Sequence, residues 1–156
     1  MNKSTQDLMF SSKTGKWATP QDFFSKLDWM MGPFDLDPCS SEDNAKCAKY
    51  FTESDDGLAQ DWGGHTVFVN PPYDNMKGWA RKCYEESLKP DTTVVLLCPA
   101  RTDTKYFHNY ILKASEIYFV KGRLKFGSAQ NCAPFPSMVA VFNSANRQQI
   151  VGAMNR

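Results

Sequence analysis

Residues 66–73 read Thr-Val-Phe-Val-Asn-Pro-Pro-Tyr, and no other stretch limits the possible folds as much. Val67, Phe68 and Val69 form a short run of β-branched and aromatic residues, which predicts a strand buried on both faces of a parallel sheet. The run stops at Asn70. Pro71 and Pro72 lack backbone N–H groups and cannot extend a central strand. Asn70 is therefore expected at the carboxyl end of a strand, followed by a rigid loop. In open α/β sheets that edge is where ligands bind.

The residue types in this loop share a chemical logic. Asn70 offers an amide with both donor and acceptor. Pro71 keeps its carbonyl, Pro72 stiffens the loop, and Tyr73 supplies a flat π-face. Asn70 Oδ1 and the Pro71 carbonyl can accept both hydrogens of a planar –NH₂ group while Tyr73 stacks on its ring. An exocyclic amine is a weak nucleophile because its lone pair is delocalised, and two acceptors would help to localise that pair. The plainer reading is a proline turn capped by asparagine. The tetrapeptide resembles the catalytic motif of amino-methyltransferases that use S-adenosylmethionine, chiefly those acting on adenine.

Length and composition fit one folded domain. The chain has 156 residues, 42% hydrophobic and 22% charged, enough for a single core. We expect a flexible N-terminal arm over 1–16 and one domain over 17–156. There is no apolar run of bilayer length and no secretory h-region, so a cytoplasmic location is expected. Cys39, Cys47, Cys83, Cys98 and Cys132 are widely spaced without a C-x-x-C, and His65 and His108 are the only histidines. That pattern predicts reduced, mostly buried thiols and no metal site. Net charge is +1, but it is unevenly distributed. Residues 1–100 carry 10 Lys and Arg against 15 Asp and Glu, whereas residues 101–156 carry 8 against 2. A basic final third suggests a polyanion docking on one side.

Along the chain, Thr19 and Pro20 predict a helix start, as N-cap and first residue. Phe23, Phe24, Leu27, Met30 and Met31 follow at helical spacing up to Gly32. Phe34 to Pro38 predicts a short strand whose tip carries Asp37, suited to an ammonium partner. Cys39-Ser40-Ser41 stands after it where a glycine-rich turn would let backbone approach a cofactor. Asn44 to Tyr50 reads as a short helix. Asp56-Gly57 reads as a turn, with Trp62 beyond. Residues 74–88 read as an amphipathic helix, 92–97 as the clearest buried strand, and 104–114 as a helix. Arg101 falls at the same sheet edge as Asn70. Glu116 to Val120 and Met138 to Phe142 predict an antiparallel pair at the end of the sheet. Between them Lys121, Arg123 and Lys125 interleave with Phe126 and Phe135, a pattern suited to nucleic-acid contact. Residues 143–156 read as peripheral.

The motifs W-A-T-P, D-L-D-P, D-G-L with Trp62, N-P-P-Y, P-A-R-T-D-T, G-R-L-K-F and P-F-P-S run in order from Trp17 to Phe142. Together they resemble the small phage-type DNA N-6-adenine methyltransferases. The resemblance implies a Rossmann-like methyltransferase fold, α/β, with a mostly parallel central sheet flanked by helices and an antiparallel C-terminal strand. It implies S-adenosyl-L-methionine as donor and adenine in duplex DNA as acceptor, reached by base flipping. It places Asn70, Pro71, Pro72 and Tyr73 at catalysis. Asp37 and Asp56 fall at the cofactor, with Trp17, Thr19 and Pro20 nearby. Arg101, Lys121, Arg123 and Lys125 are the expected DNA contacts, and no metal is required. Two other readings fit part of the pattern: a protein glutamine N5-methyltransferase, and an inactive DNA-binding module of the same fold. Recognition sequence, strand preference and oligomeric state are not encoded in any motif.

Overall fold

A computed structural model describes residues 18–127, 131–146 and 148–156. Trp17 and the expected N-terminal arm lie outside the described residues. Helix α1 (Gln21–Met31) precedes β1 (Leu36–Asp37) and β2 (Lys49–Tyr50). Then come β3 (Thr66–Val69), α2 (Met76–Ser87), β4 (Thr93–Pro99) and α3 (Lys105–Asn109). Strands β5 (Glu116–Lys121), β6 (Ser137–Phe142) and β7 (Ile150–Asn155) close the chain.

Among the described residues, seven strands join one sheet in the order β2-β1-β3-β4-β6-β5-β7. The chain leaves β1 for β2 on one side and returns to β3 on the other, pairing parallel with both. That reversal is a topological switch point, and its crevice opens at the carboxyl ends of β1 and β3. β4 pairs parallel with β3, β6 runs antiparallel between β4 and β5, and β7 pairs parallel with β5. The result is a mixed, mostly parallel sheet with helices, the Rossmann-like methyltransferase fold expected from the sequence.

Alternation along the central strands sorts the core into two layers. Val67, Val69, Val94, Leu96 and Cys98 face α2 through Trp79, Ala80 and Cys83. Phe68, Val95 and Leu97 face α1 through Phe23, Phe24 and Leu27. A strand buried on both faces needs apolar residues at successive positions, which is why 67–69 and 94–98 read as continuous runs.

Several local expectations are corrected. Residues 44–48 form turns and bends, not a helix, and Lys49–Tyr50 is a strand. The Lys46 N–H bonds to the Asp37 carboxyl at 3.0 Å, and Lys49 and Tyr50 pair with β1, so these groups are not available to a helical ladder. Residues 104–114 split into α3 and a 3₁₀ turn at Ile111–Lys113, because Tyr110 leaves helical geometry (φ −128°, ψ −49°). The antiparallel strand β6 lies inside the sheet, not at its end. Residues 143–156 are not merely peripheral, since β7 adds an edge strand. An edge strand flanked by solvent loses the apolar alternation that would announce it. All five cysteines are free, but only Cys83 and Cys98 are buried, and Cys132 is exposed.

Candidate functional site

The site is built from the tips of β1 and β3. Asp37 ends β1 and is 4% exposed. Its carboxyl accepts from the Lys46 N–H at 3.0 Å and, at 3.4 Å, from the Cys39 N–H. Burial outweighs these bonds and raises its pKa to about 6. Asn70 follows β3 immediately, as the double proline demands. Nearby, the Cys39 thiol pKa is pushed well up by burial and then by the Asp37 charge and Cys83. Cys39 and Asn70, one from each strand tip, line the same hollow.

The Asn70 side chain is held from both ends. Its Nδ2 donates to the Thr19 hydroxyl at 3.0 Å, and its Oδ1 accepts from the Tyr73 hydroxyl at 2.8 Å. Thr19 therefore does not cap α1. Pro20 occupies the N-cap position without a side-chain cap bond, and Thr19, 4% exposed, orients Asn70 instead. Pro71 is buried and Pro72 is half-buried. Tyr73 is half-buried and packs edge-on against Phe135 (centroids 5.5 Å, 87°) and Phe126 (6.5 Å, 78°). Burial pushes its phenol well above the ordinary range, so it stays a neutral donor.

Two hollows open beside these residues. A small one of about 30 Å³ is lined by Thr19, Asp37, Ser40, Lys46 and Asn70, among others. A larger cleft of about 780 Å³ is lined by Pro38, Glu53, Asp56, Gly57, Pro72 and Trp79, among others, a size suited to a cofactor. Cys39, Ser40 and Asn44 wall both. Gly57 explains how the Asp56 loop reaches the β1 tip. A Cβ there would lie 1.9 Å from the Pro38 carbonyl oxygen, so only glycine permits the approach. The Trp62 indole N–H donates to the Gly57 carbonyl at 2.9 Å and holds the loop down. Asp56 itself is in the left-handed region at φ 56°.

The sequence matches the DNA N-6-adenine-methyltransferase (Dam) family over residues 7–152. A DNA N-6-adenine-methyltransferase of Haemophilus phage HP1 is 32% identical over 126 residues, covering 76% of this chain and 73% of the phage protein. The chain belongs to the DNA N-6-adenine-methyltransferase family. A second relative, the DNA N-6-adenine-methyltransferase of Escherichia phage T1, is 29% identical over 109 residues, or 69% of this chain and 45% of that protein.

In this methyltransferase, Asp37, Thr19 and Asn70 line one hollow, while Asp56 and Pro72 line the adjoining one. Arg101 follows the carboxyl end of β4, and Lys121 ends β5, which runs parallel to β4. Both therefore sit at the same edge as Asn70. Lys121, Arg123 and Lys125 are exposed, whereas Phe126 and Phe135 are 1% and 3% exposed. The expected interleaving splits: cations face solvent, and the aromatics form the wall behind Tyr73. Sequence reasoning missed Lys46, Ser40 and Trp79 as lining residues. The Ser-Ser-Glu-Asp-Asn run at 40–44 was the available signal, since such clusters mark loops. Among the described residues, no group of three or more His, Cys, Asp or Glu is placed to hold a metal, and no helix is long and apolar enough to cross a membrane.

Proposed function

We propose that this chain transfers a methyl group from S-adenosyl-L-methionine to the N6 amine of an adenine flipped out of duplex DNA, in the cytoplasm. Family membership carries the coarser statement, that it is an adenine-specific DNA methyltransferase. One observation carries the finer one: Asp37 and Asn70, on adjacent parallel strands at the switch point, line a common hollow beside a cofactor-sized cleft.

The cofactor supplies an electrophilic methyl on a sulfonium. The Asp37 carboxylate fits its ammonium, and Asp56 lines the cleft where the adenosine end fits. Thr19 lines the small hollow and fixes the Asn70 amide, and Pro20 is its neighbour in the chain. Asn70 Oδ1 and the Pro71 carbonyl accept the two N6 hydrogens, and Pro72 keeps the loop from yielding. Tyr73 offers its ring to the base, where stacking contributes roughly 1–3 kcal/mol against the cost of extrusion. The amine has to displace the Tyr73 hydroxyl from Oδ1, exchanging one hydrogen bond for another. Catalysis on this reading is positioning, with no covalent enzyme intermediate. Arg101, Lys121, Arg123 and Lys125 sit on the rim where the duplex phosphates would lie.

The test is Asn70→Ala. Transfer of labelled methyl to DNA should fall by about 100-fold or more, while calorimetric affinity for S-adenosylhomocysteine stays nearly intact. Loss of that affinity with the transfer would make Asn70 a structural residue.

A further inference from the structure

The methionine end of the donor carries a carboxylate next to its ammonium, and a buried site must satisfy both charges. Asp37 answers only one. We propose that Lys46 and Ser40 form the carboxylate half of this subsite, so that the chain selects donors with an intact amino-acid end. The proposal rests on the cofactor reading above and extends it to a charge that reading leaves without a partner.

Three observations carry it. First, the backbone of the turn after Asp37 is already committed. The Cys39 N–H bonds to Asp37, the Ser40 N–H to the Phe51 carbonyl at 3.1 Å, and the Ser41 N–H to Asn44 Oδ1 at 2.8 Å. In a glycine-rich turn such amides would face the ligand. Here they are already bonded within the protein, so a carboxylate has to be met by side chains. Second, Ser40 Oγ is buried with no hydrogen-bond partner, and Ser40 walls both hollows. An orphaned buried hydroxyl in a polar hollow marks a position for a ligand atom. Third, Lys46 lines the small hollow with Asp37, and its own N–H is bonded to the Asp37 carboxyl, which fixes the two residues together. Its ammonium is oriented before any ligand arrives, donating to Gln21 Oε1 at 3.0 Å and lying 5.8 Å from the Phe24 ring centre. A cation and an anion held side by side match an α-amino acid zwitterion.

The experiment compares two ligands by calorimetry on the full chain: S-adenosylhomocysteine, and its decarboxylated analogue S-adenosyl-3-thiopropylamine. Wild-type protein should prefer the carboxylate-bearing ligand by about 10- to 100-fold, the range for losing a charge-assisted hydrogen bond. Lys46→Met should abolish most of that preference by weakening the first ligand alone. Ser40→Ala should reduce it about fivefold, and Lys46→Arg should restore it. Equal wild-type affinities for both ligands would overturn the proposal without needing any variant, as would a Lys46→Met change that weakens both ligands alike. Wild-type protein that binds neither ligand would instead overturn the cofactor reading itself.

Discussion

Asp37 permits a quantitative test because its pKa is moved in a direction with two opposite consequences. Its carboxyl titrates at about 6 in the folded chain, against an ordinary value of 3.8. Burial raises it, while the Lys46 and Cys39 amides and the Lys46 charge pull it back only in part. Between these two values the folded state holds more protons than the unfolded one, so stability falls as pH rises through that window. The gap corresponds to about 3 kcal/mol lost by pH 7. Ligand binding runs the other way. An ammonium needs the carboxylate, so affinity should drop as pH falls below 6. For a group titrating near 6, the ionised fraction is about tenfold lower at pH 5 than at pH 7.5. S-adenosylhomocysteine should therefore bind about tenfold more weakly at pH 5. 5′-Methylthioadenosine, which lacks the amino-acid end, should bind equally at both. Thermal melts of the free protein should move upward as pH falls from 7.5 to 5, and both trends should vanish in Asp37→Asn. An S-adenosylhomocysteine affinity that is flat between pH 5 and 7.5, or an equal loss for methylthioadenosine, would refute the pairing of Asp37 with an ammonium.

Other perturbations address the remaining parts of the site. Tyr73→Phe keeps the ring and removes only the hydroxyl donor to Asn70 Oδ1, so DNA methylation should persist, whereas Tyr73→Ala should lose it; steady-state transfer assays on both variants decide. Gly57→Ala drives a methyl group into the Pro38 carbonyl, 1.9 Å away. It should weaken S-adenosylhomocysteine binding at least as much as Asp37→Asn, by calorimetry. Charge reversal at Lys121, Arg123 and Lys125 should weaken DNA binding and flatten its salt dependence by roughly one phosphate contact per residue. An unchanged slope in fluorescence anisotropy would move the duplex elsewhere.

The parts of the fold legible in the sequence were those where one local rule and the tertiary context agree. Val67 to Val69 and Val94 to Leu97 are apolar without interruption because both faces are covered, and the prolines at 71 and 72 fix where β3 ends. Asp37 was legible because an acidic residue closes a short strand. What escaped was set by partners distant in sequence. Thr19 is a good helix cap on local grounds, yet its hydroxyl is taken by Asn70, 51 residues away. Residues 44–50 carry no β signal, and β2 exists because β1 offers an unpaired edge. Phe126 and Phe135 read as loop aromatics until β6 brings them against Tyr73. Lys46 could be seen as a charge, but its place beside Asp37 follows from a backbone bond that no periodicity announces.

The resting arrangement of Asn70 also bears on which base can react. Its two ends are engaged before substrate arrives, by Thr19 and Tyr73. An incoming base with an exocyclic amine replaces the tyrosine hydroxyl at Oδ1 with another donor, and the exchange is close to neutral. A base without that amine, such as thymine, would displace the hydroxyl and offer a carbonyl in return. Oδ1 would then lose the tyrosine donor and gain none from the base, at a cost of about 1–3 kcal/mol. On the proposed reading the tyrosine does more than stack: by donating to Oδ1 in the empty site it would make entry of the wrong base unfavourable. Tyr73→Phe removes that reference state, because the tyrosine donor to Oδ1 is then missing with or without a base. Discrimination among flipped bases should therefore weaken in that variant even where methylation of adenine survives.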